Sequence, residues 1–201
     1  MFTDDMLLAR ESDEEISRKT YTKEVVTSAD CSGTDFQSVI FEGCRFVDCD
    51  FTRSGFYGCT FLNCDLSNCI LSESYWKDCE VKGSKLNGAD LKGSTFKQSV
   101  FSSCGFSYTL FSESLFESCR LMTCDLSNAV MPQVKLRRTA FSECRLIRTE
   151  LFKTSLKGVD LSSCDISGII LSDIFSELRG AEVSYDQAAD LARLLGIKIK
   201  N

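Results

Sequence analysis

Large apolar side chains stand at every fifth position, without a break, from Phe36 to Leu171. The run reads Phe36, Phe41, Phe46, Phe51, Phe56, Phe61, Leu66, Leu71, Trp76 and Val81, and continues through Leu161 and Ile166. The position two before each is confined to compact side chains: Thr34, Val39, Cys44, Cys49, Ser54, Cys59, and onward to Cys164 and Ile169. A period of five fits neither the roughly 3.6 of a helix nor the 2 of a strand, so it marks an internal repeat. Two inward residues in five leave three outward. One pentapeptide then forms one wall of a square coil, and four walls close a turn of about 20 residues. Turns stacked as parallel bridges lie roughly 4.8 Å apart and bring residues twenty apart into register. The frame therefore predicts an all-β solenoid, a quadrilateral parallel β-helix of about seven coils over residues 31–173. Glycines at Gly43, Gly58, Gly83, Gly88, Gly93, Gly158 and Gly168 all fall two places after a central residue, where a corner needs unusual dihedrals.

Both ends depart from the frame. In residues 1–30, Ile16, Tyr21 and Val26 keep the period, but Glu14, Lys19 and Glu24 occupy the compact position. This segment is expected to be a polar cap rather than a coil, with a mobile first dozen residues. At residues 174–201 the period becomes helical. Ser184 and Gln187 have capping-box spacing, Ala188, Leu191, Ala192 and Leu195 share a helix face, and Gly196 closes the helix. Ile197 and Ile199 then alternate as in a short strand. An apolar helix face at the end of a rod either seals its own last turn or docks on a second copy through a twofold axis.

Composition narrows the chemistry. The chain has no histidine, so the commonest general base and metal ligand are missing, and no catalytic residue, metal or cofactor is expected. Of the 12 cysteines, all but Cys31 fall on the compact position, where they alternate with Ser, Thr, Ala and Val. That is substitution by size, with the thiol used as a small hydrophobe in a reduced compartment. The net charge of −6 argues against direct nucleic-acid binding through a basic surface. No apolar run is long enough to span a membrane. Asp4 and Asp5 stand where a signal peptide would carry positive charge, which points to the cytoplasm.

Units such as Cys64-Asp65-Leu66-Ser67-Asn68, Ala89-Asp90-Leu91-Lys92-Gly93 and Cys124-Asp125-Leu126-Ser127-Asn128 resemble the A(D/N)LXX motif of the pentapeptide-repeat family. The resemblance implies a right-handed coil. The tail from Leu178 to Ile197, with its Ser184-Tyr185, Gln187-Ala188 and Leu195-Gly196-Ile197 pattern, resembles the C-terminus of the quinolone-resistance (Qnr) members of that family. That likeness implies a homodimer made through Ala188, Leu191, Ala192, Leu195 and Ile197. It also implies a role as a duplex-DNA mimic that binds DNA gyrase and topoisomerase IV and protects them from fluoroquinolones. Many Qnr proteins interrupt their coils with two projecting loops. This frame has no interruption and resembles the loopless members.

Sorting outward residues by wall tests the mimicry. The Phe51 wall carries Asp50, Glu73, Asp90, Glu113, Glu150 and Asp173 against Arg53, Lys92 and Lys153. The Phe36 wall is basic, with Lys77, Lys97, Lys135, Arg137, Arg138 and Lys157. Duplex DNA carries about one charge per 1.7 Å, far more than either wall, so a local acidic stripe rather than rod-wide charge matching is the expected topoisomerase contact. The competing expectation is a non-catalytic scaffold or adaptor that meets another protein through Lys135, Arg137 and Arg138.

Overall fold

Residues 1–12, 14–194 and 196–199 are described by a computed structural model of the chain. The repeat builds a four-sided parallel β-solenoid. On the Phe36 wall seven strands stack in one sheet, from Ile16–Ser17 through Asp35–Gln37 to Lys135–Arg137. The Phe41 wall carries a second seven-stranded sheet, from Thr20–Thr22 to Ala140–Ser142. Register is twenty residues from Ile16 to Ile170, as in Phe36 with Phe56 and Phe41 with Phe61, and widens only where the tail meets the last turn, at Asp160 with Glu182. The Phe46 and Phe51 walls are held mostly by single bridges, such as Asp65 with Lys85 and Asp90 with Leu110.

The difference between walls has a local cause. On the bridge walls an amide three residues on donates back to the central carbonyl, as Ala89 N–H does to Leu86 O at 3.1 Å. The preceding aspartate tightens the same turn: Asp50 Oδ1 accepts from Thr52 N at 2.8 Å, Asp65 from Ser67 N at 3.0 Å and Asp90 from Lys92 N at 3.0 Å. The recurrent aspartate of the repeat is thus a turn former.

Corner residues two places after a centre turn with a left-handed backbone from Ser38 to Gly158 and again at Gly168, and glycine is only one of their occupants. Gly83 has φ +61°, but Asn63 has φ 51°, Arg53 φ 59° and Glu113 φ 62°. A non-glycine residue in this region costs roughly 1–2 kcal/mol, which the ladders on both sides must offset.

The core is a stack of paired columns. On the Phe36 wall Phe36, Phe56, Trp76, Phe96 and Phe116 follow one another, with ring centroids 5.2, 4.2, 6.0 and 4.5 Å apart. The compact column does more than fit. Its hydroxyls and thiols donate to the central carbonyl of the turn below: Ser54 to Cys31 O at 2.7 Å, Thr109 to Leu86 O at 2.7 Å, Cys64 to Phe41 O at 3.3 Å. Ser, Thr and Cys are therefore chosen for one short donor as well as for size. Among the described residues every buried side-chain nitrogen and oxygen has a partner.

The N-terminal expectation is overturned. Strands begin at Ile16, so the solenoid starts well before residue 31, and Cys31 is buried in its first turn. Helix α1 (Phe2–Ser12) caps this turn, burying Phe2, Met6 and Ala9, where a mobile segment was expected. The charged residues at the compact positions fit because the helix receives them. Lys19 Nζ bonds Asp5 Oδ1 at 3.0 Å, and Glu24 Oε2 accepts from Phe2 N at 2.9 Å. Tyr21 Oη donates to Asp5 Oδ2 at 2.8 Å, and Arg10 bonds Asp30 at 2.6 Å. Phe2 plugs the open end, its ring 5.2 Å from Tyr21 and 5.6 Å from Phe46.

At the other end the tail crosses the last turn. Leu156 N donates to Glu177 O at 2.9 Å and Leu161 N to Glu182 O at 2.8 Å. Helix α2 (Tyr185–Leu194) opens with the expected reciprocal cap, Ser184 N to Gln187 Oε1 at 2.7 Å and Gln187 N to Ser184 Oγ at 3.3 Å. The Gln187 amide also satisfies Leu161 O at 2.9 Å and Cys164 O at 2.6 Å, so one side chain closes both helix and coil. Gly196, at φ +77°, ends the helix. Residues Ile197–Ile199 form no strand, and among the described residues no ladder partner lies beside them. No helix among the described residues is long and apolar enough to cross a membrane.

Two outcomes follow from the cap. Phe2→Ala, which empties a ring-sized site against four aromatic neighbours, is expected to lower stability by about 3–5 kcal/mol in urea unfolding. Acid is expected to loosen the same cap. Asp30 is held at about 2 rather than 3.8, chiefly by the Ser32 hydroxyl and then by Arg10, and Asp5 is lowered by Tyr21 and Lys19. A carboxyl depressed in the folded state contributes stability above its unfolded value and loses it as pH falls. The urea midpoint should hold steady above roughly pH 4 and drop towards pH 2, with a shallower drop in Asp30→Asn.

Candidate protein-interaction face

On the Phe51 wall the leading outward column stacks as Asp50, Ile70, Asp90, Leu110, Val130, Glu150 and Ile170, each bridged to the next. Acid and apolar groups thus share one row, about 4.8 Å per rung. Ile70 and Ile170 are 45% and 41% exposed, enough to offer apolar contact beside the carboxylates. The trailing column holds Arg53, Glu73 and Glu113 at left-handed corners, which turns these side chains outward from the wall.

The six acids are not equivalent. Asp50 and Asp90 are half-buried and accept from the amides of their own turns. Glu73 is exposed but pairs with Arg53 at 2.7 Å, which holds its carboxyl pKa below the ordinary carboxylate range. Glu113, Glu150 and Asp173 lie on the same wall and form no ion pair among the described residues. The freest negative charge is therefore in the half of the wall nearer the C-terminus.

Glu177 stands apart from the other acids of the tail, Glu182, Asp186 and Asp190. It is 2% exposed, accepts from Lys153 N at 2.8 Å and from Ser172 Oγ at 2.8 Å, and holds the tail to the last turn. Burial opposes its ionisation, but these hydrogen bonds win and keep its carboxyl below the usual range. No sequence signal separates it from Glu182; only the crossing of the Ser176–Leu178 turn over the coil does.

The terminal helix divides its apolar groups between two jobs. Leu191 is half-buried against the core, while Ala188 and Ile197 are exposed and Ala192 is half-buried. Leu195 lies outside the described residues. Tyr185, Leu194 and Ile174, not singled out from the sequence, are exposed at 89%, 47% and 76% and widen the apolar surface of this end.

The cysteines are all unbridged and buried. Burial pushes the Cys59 thiol up to about 11 and those of Cys69 and Cys79 to about 12, so at neutral pH these are protonated and unsuited to nucleophilic work. Among the described residues no cluster of three or more metal-ligating side chains forms.

Taken with the twenty-residue register, this geometry defines a four-walled repeat solenoid with an acid and apolar row on one wall. Family models described as "Pentapeptide repeat region" match residues 34–100 and 54–123, and "Pentapeptide repeats (8 copies)" match 119–158 and 135–173. The chain belongs to the pentapeptide-repeat family. Its fold is similar to that of trypsin-treated QnrB1, a plasmid-mediated fluoroquinolone resistance protein, at TM-score 0.58 and 21% identity over 92% of this chain and 98% of that one. A second trypsin-treated QnrB1 variant aligns at TM-score 0.52, again with 21% identity, over 92% of this chain and 97% of that one. No curated protein sequence matches the chain.

Proposed function

We propose that this protein binds the bacterial type II topoisomerases, DNA gyrase and topoisomerase IV, through the Phe51 wall and relieves their poisoning by fluoroquinolones. The observation that carries the reading is the unbroken row from Asp50 to Ile170, in which three carboxylates are interspersed with the exposed Ile70 and Ile170 and the half-buried Leu110 and Val130 on a rigid ladder. Such a row offers anionic charge at fixed spacing together with contact area for a protein groove. Fold similarity to QnrB1, itself a fluoroquinolone resistance protein, supports the same direction. Glu113, Glu150 and Asp173 are the proposed principal contacts, with Asp50, Glu73 and Asp90 contributing charge while they shape the wall. The mechanism is competition for the DNA-binding groove or destabilisation of the drug-trapped cleavage complex.

A supercoiling assay with gyrase and ciprofloxacin tests this. Wild-type protein should restore supercoiling, and Glu113→Lys with Glu150→Lys should weaken rescue about tenfold. Asp90→Asn keeps the turn acceptor and removes only charge, so its smaller effect would separate binding from folding. Absence of rescue at every molar ratio rejects the reading.

The protein also acts, in this reading, as a homodimer joined at its C-terminus. Support comes from the exposed Tyr185, Leu194, Ile197 and Ile199 around the α2 end. Sedimentation should give twice the 22.4 kDa of the chain, and Leu194→Lys with Ile197→Lys should return it to the single-chain mass.

A further inference from the structure

The basic wall contains a feature that a regular solenoid does not produce. Up to the Lys135–Arg137 strand each rung of the Phe36 wall is bonded to the next, as in Gln98 N to Glu117 O at 2.9 Å and Ser118 N to Arg137 O at 2.8 Å. The next rung, residues 155–157, is not part of the sheet, and no backbone bond joins it to Leu136 or Arg138. The matching bond from Ser155 N to Val134 O is also missing. What remains is a side-chain bridge at the near corner, Val134 N to Thr154 Oγ1 at 2.9 Å, of the kind that Ser74 N makes to Ser94 Oγ where the ladder is intact. The rung above is drawn towards the tail, with Leu156 N bonded to Glu177 O at 2.9 Å and Gly158 N to Gly180 O at 2.7 Å. The aromatic column also stops here, passing from Phe116 to Leu136 and Leu156, and Leu136 is half-buried where the earlier centres are closed off.

A depression of about 440 Å³ opens where the wall parts. Lys135, Arg137, Lys153 and Lys157 line it, and none of the four forms an ion pair among the described residues. On the rungs next to it Glu117 is shared between Lys97 at 3.7 Å and Arg138 at 3.2 Å. Glu177, the one buried acid among the described residues, accepts from Lys153 N and Ser172 Oγ and brings a single negative charge to this end of the wall. Four cations without ion-pair partners within two rungs repel one another, and a bound anion removes that cost. Backbone N–H groups of Leu136 and Arg138, free of ladder partners, add neutral donors at the same opening.

We propose that this depression binds a small, multiply charged phosphate-bearing ligand, in the class of inorganic diphosphate or the phosphate chain of a nucleotide. The guanidinium of Arg137 suits the paired oxygens of a phosphoryl group, while the lysines supply point charge around it. The limited extent of uncompensated charge fits a short anion rather than an extended nucleic-acid backbone. The site is on a different wall from the proposed topoisomerase contacts, so either proposal can fail without the other.

The test is a titration of the full chain with inorganic diphosphate, followed by amide chemical shifts in two-dimensional NMR, with sodium chloride at matched ionic strength as reference. Saturable shifts at Leu136, Arg138 and Ser155 are expected with diphosphate and with ATP alike. Arg137→Gln with Lys157→Gln should weaken binding at least about tenfold, while Glu113→Gln should leave it unchanged. Shifts that follow ionic strength alone, saturation by ATP without diphosphate, or tighter binding of a duplex oligonucleotide would each overturn the proposal. The wild-type shift map decides the matter even if the double variant proves unstable.

Discussion

The twenty-residue register between successive turns is the constraint from which the other features follow. It is fixed by a pair of buried groups in every pentapeptide, a bulky centre and a compact residue two places earlier that in most units is a hydroxyl or thiol donor. The centre stacks on its counterpart below, as in Phe41 on Phe61 at 4.7 Å. The compact residue ties its own turn to the carbonyl of the turn beneath, as Ser114 does to Leu91 at 2.8 Å. A slip of one residue would drive outward charges into the core and strand these donors, so burial alone locks the ladder. Outward side chains consequently line up in columns, and a row such as Asp50 to Ile170 follows from the lattice without requiring contact between the side chains themselves.

Much of this was readable from the sequence because periodic burial leaves a periodic record. The wall frame, the compact column, the Ser184–Gln187 cap and the Gly196 stop all appear in the structure where their residues placed them. What was not readable shares one cause, that a residue type has more than one environment compatible with it. Left-handed corners carry Arg53, Glu113 and Asn63 as well as glycine, so glycine marked only part of the set. Lys19 and Glu24 looked unfit for a coil because their partners, Asp5 and the Phe2 amide, come from a helix that the five-residue frame does not describe. Glu177 reads like any surface acid until the tail folds over it.

The candidate face shows the same limit. Its membership follows from counting, but the division of labour within it does not. Asp50 and Asp90 serve their turns, Glu73 answers Arg53, and Glu113 and Glu150 keep their charge available. Charge on a solenoid wall thus has two uses, closing corners and facing a partner. Only hydrogen-bond geometry separates them.

The sole tryptophan, Trp76, is sealed mid-column between Phe56 and Phe96. In a stack whose turns touch only their neighbours, loosening starts at an end and travels inward. Indole emission from this chain is therefore a gauge of the middle storeys. Fraying at α1 or α2 leaves that light unchanged, and a fluorescence melt records the last part of the rod to come apart.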